Sequence, residues 1–388
     1  MKSLVLVLLS LLLVFPAFAQ DAVSPAACVE EFDADTSYFP DTVEVEYAVG
    51  FSIEYHSNYK VVTVNTPWQG ASEPYIYVLV QCGTPVPEGY EGEQIVEVPA
   101  ASAISMSTTY LSSFVELGLI DQLVAVDEGD FIFNPEVRAR FDSGDILEIG
   151  SGSTVNIEQT LALEPGVIFT FATGSVDYDT HPVLLEAGLN VVLNSDYLES
   201  QPLGRAEWVK FIAAFFNAEA EANIIFDEVA NSYHELTEVA ADAESRPTVL
   251  ANAMFGDTWY VSGGGSYAAQ LIADAGGDYV WAEDASSGSL PLSFEEVIDR
   301  ALDADIWLNP NFWFTLADGL AEDERYAEFA AFANGRVYNN NLRVTATGGS
   351  DFGETGVLHP ELILGDLIYI FHPDLLPEHE LFFYQQLQ

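Results

Sequence analysis

The sequence predicts an α/β protein with two Rossmann-like lobes, each built on a parallel sheet, joined by one long helix and preceded by a small antiparallel β module. Three observations support this prediction. From residue 95 onward, strand and helix patterns alternate, which is typical of a parallel sheet with right-handed crossovers. A long amphipathic segment at 218–245 interrupts the alternation, which then restarts. Residues 20–94 instead contain short β-branched and aromatic runs separated by Gly, Asn and Pro, a pattern that favours antiparallel strands.

The first 19 residues have the pattern of a secretory signal peptide. The apolar run Leu4–Phe15 is followed by Ala17-Phe18-Ala19, a small-x-small cleavage site before Gln20. About 12 apolar residues are too few to cross a bilayer, which takes roughly 20. We therefore predict export, cleavage after Ala19, and a periplasmic or other extracytoplasmic location. A lipid anchor normally needs a cysteine at the cleavage point, and the first cysteine, Cys28, lies further downstream.

The chain has only two cysteines, Cys28 and Cys82. In an exported protein such a pair is expected to form a disulfide. Closing a loop of about 55 residues would stabilise the fold by up to roughly 4 kcal/mol. The alternative is two unpaired thiols, which a thiol titration of the denatured, unreduced protein would reveal.

The charge balance is strongly acidic, with a formal net charge of −50 over 388 residues. Such a surface repels phosphate backbones and anionic membranes, which excludes nucleic acid as a partner. The acidic residues are spread along the whole chain, which favours adaptation to a salty milieu over a binding device. Because basic residues are few, an arginine in a cleft becomes a candidate for ligand binding.

The strands are predicted from short apolar runs, taken in chain order. Those of the β module lie at 42–48, 51–55, 60–65 and 75–81, with a linker at 83–89. The first α/β lobe, 95–217, has strands at 95–100, 123–127, 147–150, 167–171 and 190–194. The second, 246–388, has strands at 248–255, 278–281, 305–310 and 336–340.

The segment 218–245 is predicted to be the helix that joins the lobes. Its apolar residues recur at spacings of three and four, which places on one face Ile225, Phe226, Val229, Tyr233, Leu236 and Ala240. Roughly 26 helical residues would span about 39 Å. A crossover helix within one sheet is the alternative, but the similar regions on either side favour a rigid connection, the only one between two lobes, and a modest closure on ligand binding.

Many phrases in order across 95–388 resemble a known family, the extracytoplasmic solute-binding proteins of ABC importers for iron chelates and cobalamin. They include LEIGSGSTVNIEQTLALEPGVIF, SGGGSYAAQLIADAGGDYV, SFEEVIDRALDADIWLNP and DLIYIFHPDLLPEHEL. The resemblance implies a monomer with two lobes joined by a single long helix, a small-molecule metal chelate bound between them, and an ABC transporter permease as partner. It also implies no enzyme activity, no resident metal and no cofactor.

In that family, a surface glutamate on each lobe docks onto arginines of the permease. By position in the matching phrases these glutamates are Glu158 and Glu295, with Glu296 as the rival to Glu295. Exposed charges at rims steer association and fix register. The alternative is that they only cap helices.

The ligand is expected between the lobes, where loops leave the carboxyl ends of the strands. The candidate loops are 106–110, 130–133 and 173–178 on the first lobe and 255–260, 311–314 and 341–352 on the second. Aromatic side chains with a polar tip suit a planar or catecholate-like ligand, and a guanidinium can bind an anionic ferric siderophore. The predicted ligand-binding residues are Tyr110, Phe131, Trp259, Tyr260, Trp313 and Arg343. For Arg343 the alternative is pairing with a carboxylate; Arg138, Arg140 and Arg205 rank below it.

Other ligands and an enzyme remain alternatives. Cobalamin or haem could occupy the same cleft, and haem would call for an axial ligand such as Tyr178 or His181. The glycine-rich stretches match neither a nucleophile elbow, a P-loop nor a dinucleotide fingerprint. A secreted carboxylate-dependent hydrolase is the runner-up class, because acidic pairs are frequent.

Overall fold

The computed structural model describes residues 28–175 and 177–388. The predicted signal peptide and its cleavage site lie outside the described residues. Within this range, no helix combines the length and the apolar character needed to cross a membrane. The described fold is a β module followed by two α/β lobes and a long helix between them, as predicted.

The N-terminal module is a four-stranded sheet in the order β1-β2-β3-β4. Its strands are β1 (Phe51–Tyr55), β2 (Tyr59–Val64), β3 (Tyr75–Gln81) and β4 (Gln94–Val98). β1, β2 and β3 pair antiparallel, but β4 is parallel to β3. The first three strands thus form an antiparallel module, as predicted, whereas the strand predicted at 95–100 for the first lobe is β4 and pairs with β3, because the loop after β3 carries the chain back along the sheet.

A predicted strand at 42–48 is absent, and a buried glutamate explains why. The backbone amides of Glu46, Tyr47 and Ala48 donate to the carboxylate of Glu207 at 2.7–2.9 Å. Because these donors are satisfied by a side chain, the segment needs no strand partner.

The predicted disulfide between Cys28 and Cys82 is confirmed and ties the start of the described chain to the end of β3.

The first lobe is a five-stranded parallel sheet in the order β7-β6-β5-β8-β9. In chain order its strands are β5 (Ala103–Ser105), β6 (Leu123–Val126), β7 (Leu147–Glu148), β8 (Val167–Thr170) and β9 (Val191–Leu193). Its helices are α1 (Leu111–Glu116), α2 (Pro135–Ser143), α3 (Ile157–Ala162), α4 (His181–Glu186), α5 (Pro202–Ala206) and α6 (Trp208–Ala214).

The long helix, α7, runs from Glu219 to Ala240 and has 22 residues. Its buried face includes Phe226, Val229 and Tyr233, in agreement with the predicted spacing. It ends earlier than predicted, because the amides of Asp242 and Ala243 bond to carbonyls three residues back and so tighten the chain into a turn.

The second lobe combines a five-stranded sheet, in the order β13-β10-β15-β16-β17, with a three-stranded antiparallel sheet, β11-β12-β14. The first sheet is parallel except for β17. The strands are β10 (Thr248–Ala251), β11 (Met254–Phe255), β12 (Thr258–Ser262), β13 (Asp278–Tyr279), β14 (Ser289–Leu292), β15 (Ile306–Leu308), β16 (Val337–Asn339) and β17 (Gln385–Gln386). The helices are α8 (Tyr267–Asp274), α9 (Phe294–Ala301), α10 (Leu316–Glu322), α11 (Ala330–Ala333), α12 (Asp351–Leu358) and α13 (Pro360–Phe371).

A second set of contacts joins the lobes, so α7 is not their only connection, contrary to expectation. The buried carboxylate of Glu354, on α12, accepts hydrogen bonds from the amides of Phe133 and Asn134 at 2.8 and 2.9 Å. His359, next to α13, places its Nε2 atom 2.6 Å from Glu116 Oε1. These contacts favour a modest closure, which stays a prediction.

The contact at His359 is expected to make stability depend on pH. Burial lowers the pKa of His359, but hydrogen bonds and charges from Glu116 and Glu361 outweigh burial and raise it to about 10. The stabilisation is therefore fully present below pH 6.5, the ordinary value, and is lost as pH rises towards 10. Burial raises the pKa of Glu354 from its ordinary value of 4.5 to about 7. The contribution of Glu354 to stability therefore also declines as the pH rises from 4.5 to 7.

We predict that His359→Gln lowers the free energy of unfolding by about 1.5–3 kcal/mol near pH 6, the range for hydrogen bonds to charged groups. The difference from wild type should shrink as the pH approaches 10. Urea unfolding between pH 6 and 10 measures both quantities. His234→Gln, at an exposed histidine on α7, is the control, and a wild-type minus H359Q difference independent of pH would contradict the prediction.

Candidate ligand-binding cleft

The loops at the carboxyl ends of the two parallel sheets face and touch each other. From the second lobe, Thr347 Oγ1 donates to the carbonyl oxygen of Asp130 in the first at 2.6 Å. Gly349 packs so closely that an added Cβ would lie 2.6 Å from the carbonyl oxygen of Phe131. The two sets of loops therefore enclose a cleft, at the place where open α/β sheets bind ligands.

Exposed aromatic side chains are frequent on and beside these loops. Phe312 is 82% exposed, Tyr178 74% and Phe255 68%. Phe131, Phe171, Tyr197, Tyr260 and Phe314 are also exposed. Such a concentration of accessible apolar surface is unusual in a folded chain unless something binds there.

The first lobe contributes a cavity of about 600 Å³ to the cleft. Backbone turns after β5, β6 and β8 bring its walls together, and its lining residues are Met106, Asp127, Glu128, Ser151, Gly152, Thr170, Phe171, Thr173, Asp177, Tyr178 and Thr180. Three of these are carboxylic acids and none is Lys or Arg. Burial raises the pKa of Asp127 to about 6, so Asp127 is mostly ionised at neutral pH. The cavity therefore presents negative charge together with aromatic surface.

A smaller cavity of about 240 Å³ adjoins the first and shares Phe171 and Thr173 with it. Its distinguishing residue is Arg205, whose Nε atom lies 3.6 Å from Asp196 Oδ2. This Nε is buried and has no hydrogen-bond partner among the described residues. The guanidinium also lies 5.3 Å from the ring of Tyr267 in the second lobe. Arg205 thus offers a cation where the two lobes meet.

The second lobe has its own cavity of about 480 Å³, formed by the turns after β10 and β15. The aromatic side chains of Phe255 and Phe312 line it together with three acidic ones, Asp257, Glu322 and Asp323. Its one basic lining residue, Arg325, is paired with Asp323 at 2.6 Å. Like the first-lobe cavity, it carries net negative charge.

The prediction that Trp259 and Trp313 contact the ligand is wrong. Both are almost completely buried and pack against Trp307, with ring centroids 5.4 and 5.3 Å apart. Trp259 lies on the inward face of β12, and its indole N–H donates to the carbonyl oxygen of Ala251. Both tryptophans thus belong to the aromatic core of the second lobe. Burying their large apolar rings there is more favourable than leaving the rings exposed to water on a loop.

The other predicted residues have different surroundings. Tyr110 is buried, lines the smaller cavity and places its hydroxyl 3.3 Å from the carbonyl oxygen of Asn194. Phe131 is exposed at the contact between the lobes, and Tyr260 is exposed on β12. Arg343 lines none of the three cavities. Its Nε bonds to Asp351 at 2.5 Å, so the alternative role, pairing with a carboxylate, is the one observed.

The glutamates predicted to dock onto a permease are exposed in the first turn of α3 and of α9. Glu295 is 3.4 Å from Arg325, whose guanidinium stacks on Phe294. The rival, Glu296, closes a capping box with Ser293, and hydrogen bonds from Ser293 lower the pKa of its carboxyl. Because capping occupies Glu296, Glu295 is the better candidate.

Several cleft residues escaped the sequence predictions. The loops 173–178 and 255–260 were expected to reach the ligand, and each contributes residues to a cavity. Arg205 ranked below Arg343, since no pattern in the sequence tells which arginine a carboxylate neutralises. Asp127 and Glu128 had a usable signal, because they directly follow the apolar run of β6, where a carboxyl-end loop begins.

Comparisons with known proteins agree with this geometry. A family model described as periplasmic binding protein matches residues 104–340, more than half of the chain. An uncharacterised lipoprotein of Methanocaldococcus jannaschii is 28% identical over 301 residues, which cover 72% of this chain and 67% of the relative.

Two solved structures show the same fold at low identity. One, described as a possible iron-binding (periplasmic solute-binding) protein from Staphylococcus epidermidis, has a TM-score of 0.55 at 15% identity, covering 70% of this chain and 98% of the other. A periplasmic haem-binding protein of Vibrio cholerae has a TM-score of 0.52 at 20% identity, covering 68% and 98%. The family match, the two parallel-sheet lobes and the long helix lead to one assignment: this chain belongs to the periplasmic binding protein family.

Proposed function

We propose that this protein captures an iron chelate in the cleft between its lobes, outside the cytoplasm, and delivers it to an ABC transporter permease. The observation that carries the proposal is the set of exposed aromatic side chains around the two larger cavities, at the carboxyl ends of both sheets. The relatives' descriptions as iron-binding and haem-binding support an iron-containing ligand.

The charge of the cleft narrows the class of chelate. Carboxylates line both larger cavities, and the basic residues among the described linings of the three cavities are Arg205, beside Asp196, and Arg325, which Asp323 already neutralises. A polyanionic tris-catecholate would be repelled, whereas an uncharged or cationic ferric trihydroxamate would not. We therefore replace the anionic siderophore expected from Arg343 by a hydroxamate-type chelate.

Calorimetric titration with a ferric trihydroxamate and a ferric tris-catecholate tests this choice. The trihydroxamate is expected to bind at least about 100-fold more tightly at low salt. Changing Glu128→Gln and Asp177→Asn together should strengthen tris-catecholate binding by about tenfold, because repulsion falls. The same double change at exposed Glu228 and Asp227 on α7 is the control. Preference for the tris-catecholate in wild type would overturn the choice.

Haem is the second candidate, supported by Tyr178. This side chain lines the first-lobe cavity and is exposed, so its phenolate could reach a haem iron. His181, the other predicted axial ligand, is instead buried and packs against Trp68 with ring centroids 5.8 Å apart.

An absorbance spectrum of protein purified from its own host separates the candidate ligands: a ferric siderophore gives a ferric charge-transfer band, haem a Soret band and cobalamin a corrin spectrum. Substrate turnover abolished by one carboxylate change would instead favour the hydrolase.

A further inference from the structure

The N-terminal module has no part in the function proposed above, and it precedes the family match at residues 104–340. It is nevertheless bound tightly to the first lobe. The Gln94 side chain pairs with the backbone of Val191 on edge strand β9 through two hydrogen bonds of 2.9 Å, and Tyr77 Oη accepts from the Leu193 amide at 2.9 Å. The module therefore covers the edge of the first-lobe sheet and moves with that lobe.

One aromatic side chain of the module reaches a wall of the ligand cavity. Trp68, in the loop between β2 and β3, lies against Gly174 in the loop between β8 and α4. An added Cβ at Gly174 would lie 2.6 Å from Cδ1 of the indole. Trp68 also contacts His181 and Tyr75, with ring centroids 5.8 and 5.9 Å away. Only a glycine permits this approach, and its φ of +78° also favours glycine.

The loop that rests on Trp68 is the one that carries Tyr178 into the cavity. Its start is fixed by Asp179, whose carboxylate accepts from the amides of Thr173 and Gly174 at 2.7 and 2.9 Å. Thr173, Asp177 and Tyr178 line the cavity. The loop thus has an inner side that faces the ligand space and an outer side that is supported by the indole.

We propose that Trp68 is a positioning residue for the ligand site, and that the N-terminal module serves to hold the described parts of the cavity loop, residues 173–175 and 177–179, in their binding conformation. A ligand contact on a loop loses affinity when the supporting residues are missing, because the loop must then be ordered on binding. The part of the proposal that concerns affinity rests on the proposed function. The part that concerns the loop does not.

Two measurements on Trp68→Ala test this role. Hydrogen exchange of the Thr173 and Gly174 amides, which Asp179 protects, is expected to accelerate by at least about tenfold. Affinity for a ferric trihydroxamate, measured by calorimetry, is expected to fall by about tenfold. Trp68→Phe keeps an aromatic face and should restore most of both. Tyr90→Ala removes an aromatic that contacts Tyr59 within the same module and should change neither.

The outcomes separate the two proposals. If wild type binds none of the iron chelates, the proposed function fails, and the exchange rates alone decide whether Trp68 positions the loop. If Trp68→Ala leaves exchange of the loop unchanged while β1 to β3 stay protected, the positioning role is overturned. If exchange accelerates but trihydroxamate affinity equals that of wild type, the loop is supported by Trp68 without serving the ligand, and the proposal is likewise overturned.

Discussion

Replacing Glu158 and Glu295 together by lysine is expected to lower the affinity of the protein for its permease by at least about 100-fold. Coupling energies of close charge pairs across an interface start at about 1.5 kcal/mol, and each reversal replaces attraction by repulsion. Both carboxylates are exposed at the first turn of their helices, so the changes should leave the fold and ligand affinity intact. Binding to the permease in nanodiscs, and transport by the reconstituted complex, measure the effect.

The control reverses two exposed glutamates outside the docking phrases, Glu228 and Glu283. It changes the net charge by the same amount, so it separates a local docking role from general electrostatic steering. Full transport by E158K/E295K would contradict the docking role, and an equal loss in the control would assign the effect to overall charge. The single variant E296K should be less stable, because it removes the capping box, but should still dock.

Changing Glu207→Gln is expected to lower the free energy of unfolding by about 3–5 kcal/mol, the cost of breaking a buried charge pair. Glu207 is fully buried, and its carboxylate accepts three backbone amides from 46–48 as well as Lys210 Nζ at 2.8 Å. An amide side chain offers one acceptor oxygen instead of two, so a backbone donor and the Lys210 charge lose their partner.

Urea unfolding of Glu207→Gln and of Glu228→Gln, the same change at an exposed site, measures this difference. The control should lie within about 0.5 kcal/mol of wild type. Because Glu207 belongs to the first lobe and its amide partners to the N-terminal segment, the loss should appear first as release of residues 42–50, which hydrogen exchange would detect. Equal stability of both variants would show that water satisfies the freed groups.

The general architecture could be predicted because it depends on patterns that are local in sequence. Alternating apolar runs and helical periodicity gave the lobes and α7, whose buried residues Phe226, Val229 and Tyr233 were expected. The disulfide was predicted from the presence of just two cysteines in an exported chain. The prediction of a strand at 42–48 was wrong because the outcome there depends on a residue far away in the sequence. Its β-branched and aromatic pattern is correct for a strand, but Glu207, about 160 residues away, takes its backbone donors.

For the site, the loops could be predicted from the sequence better than the individual residues that line it. Loops after parallel strands meet at one edge whatever their sequence, so the positions 106–110, 173–178 and 255–260 followed from strand order alone. Which aromatic faces inward cannot be read in the same way. Trp259 and Tyr260 are adjacent on β12, and strand alternation places one in the core and the other at the surface.

The sequence by itself determined the two-lobed α/β fold, the linking helix and the edge of the sheets where a ligand is expected, because each follows from local periodicity and chain order. It determined the disulfide because the chain has only two cysteines. Only the tertiary structure decided which charges remain available: Asp351 neutralises Arg343, while Arg205 keeps a donor free beside the cavity. It also placed Trp68 against Gly174, at the start of the cavity loop. Pairings between residues far apart in the chain leave no local pattern, and they set both the charge and the rigidity of this cleft.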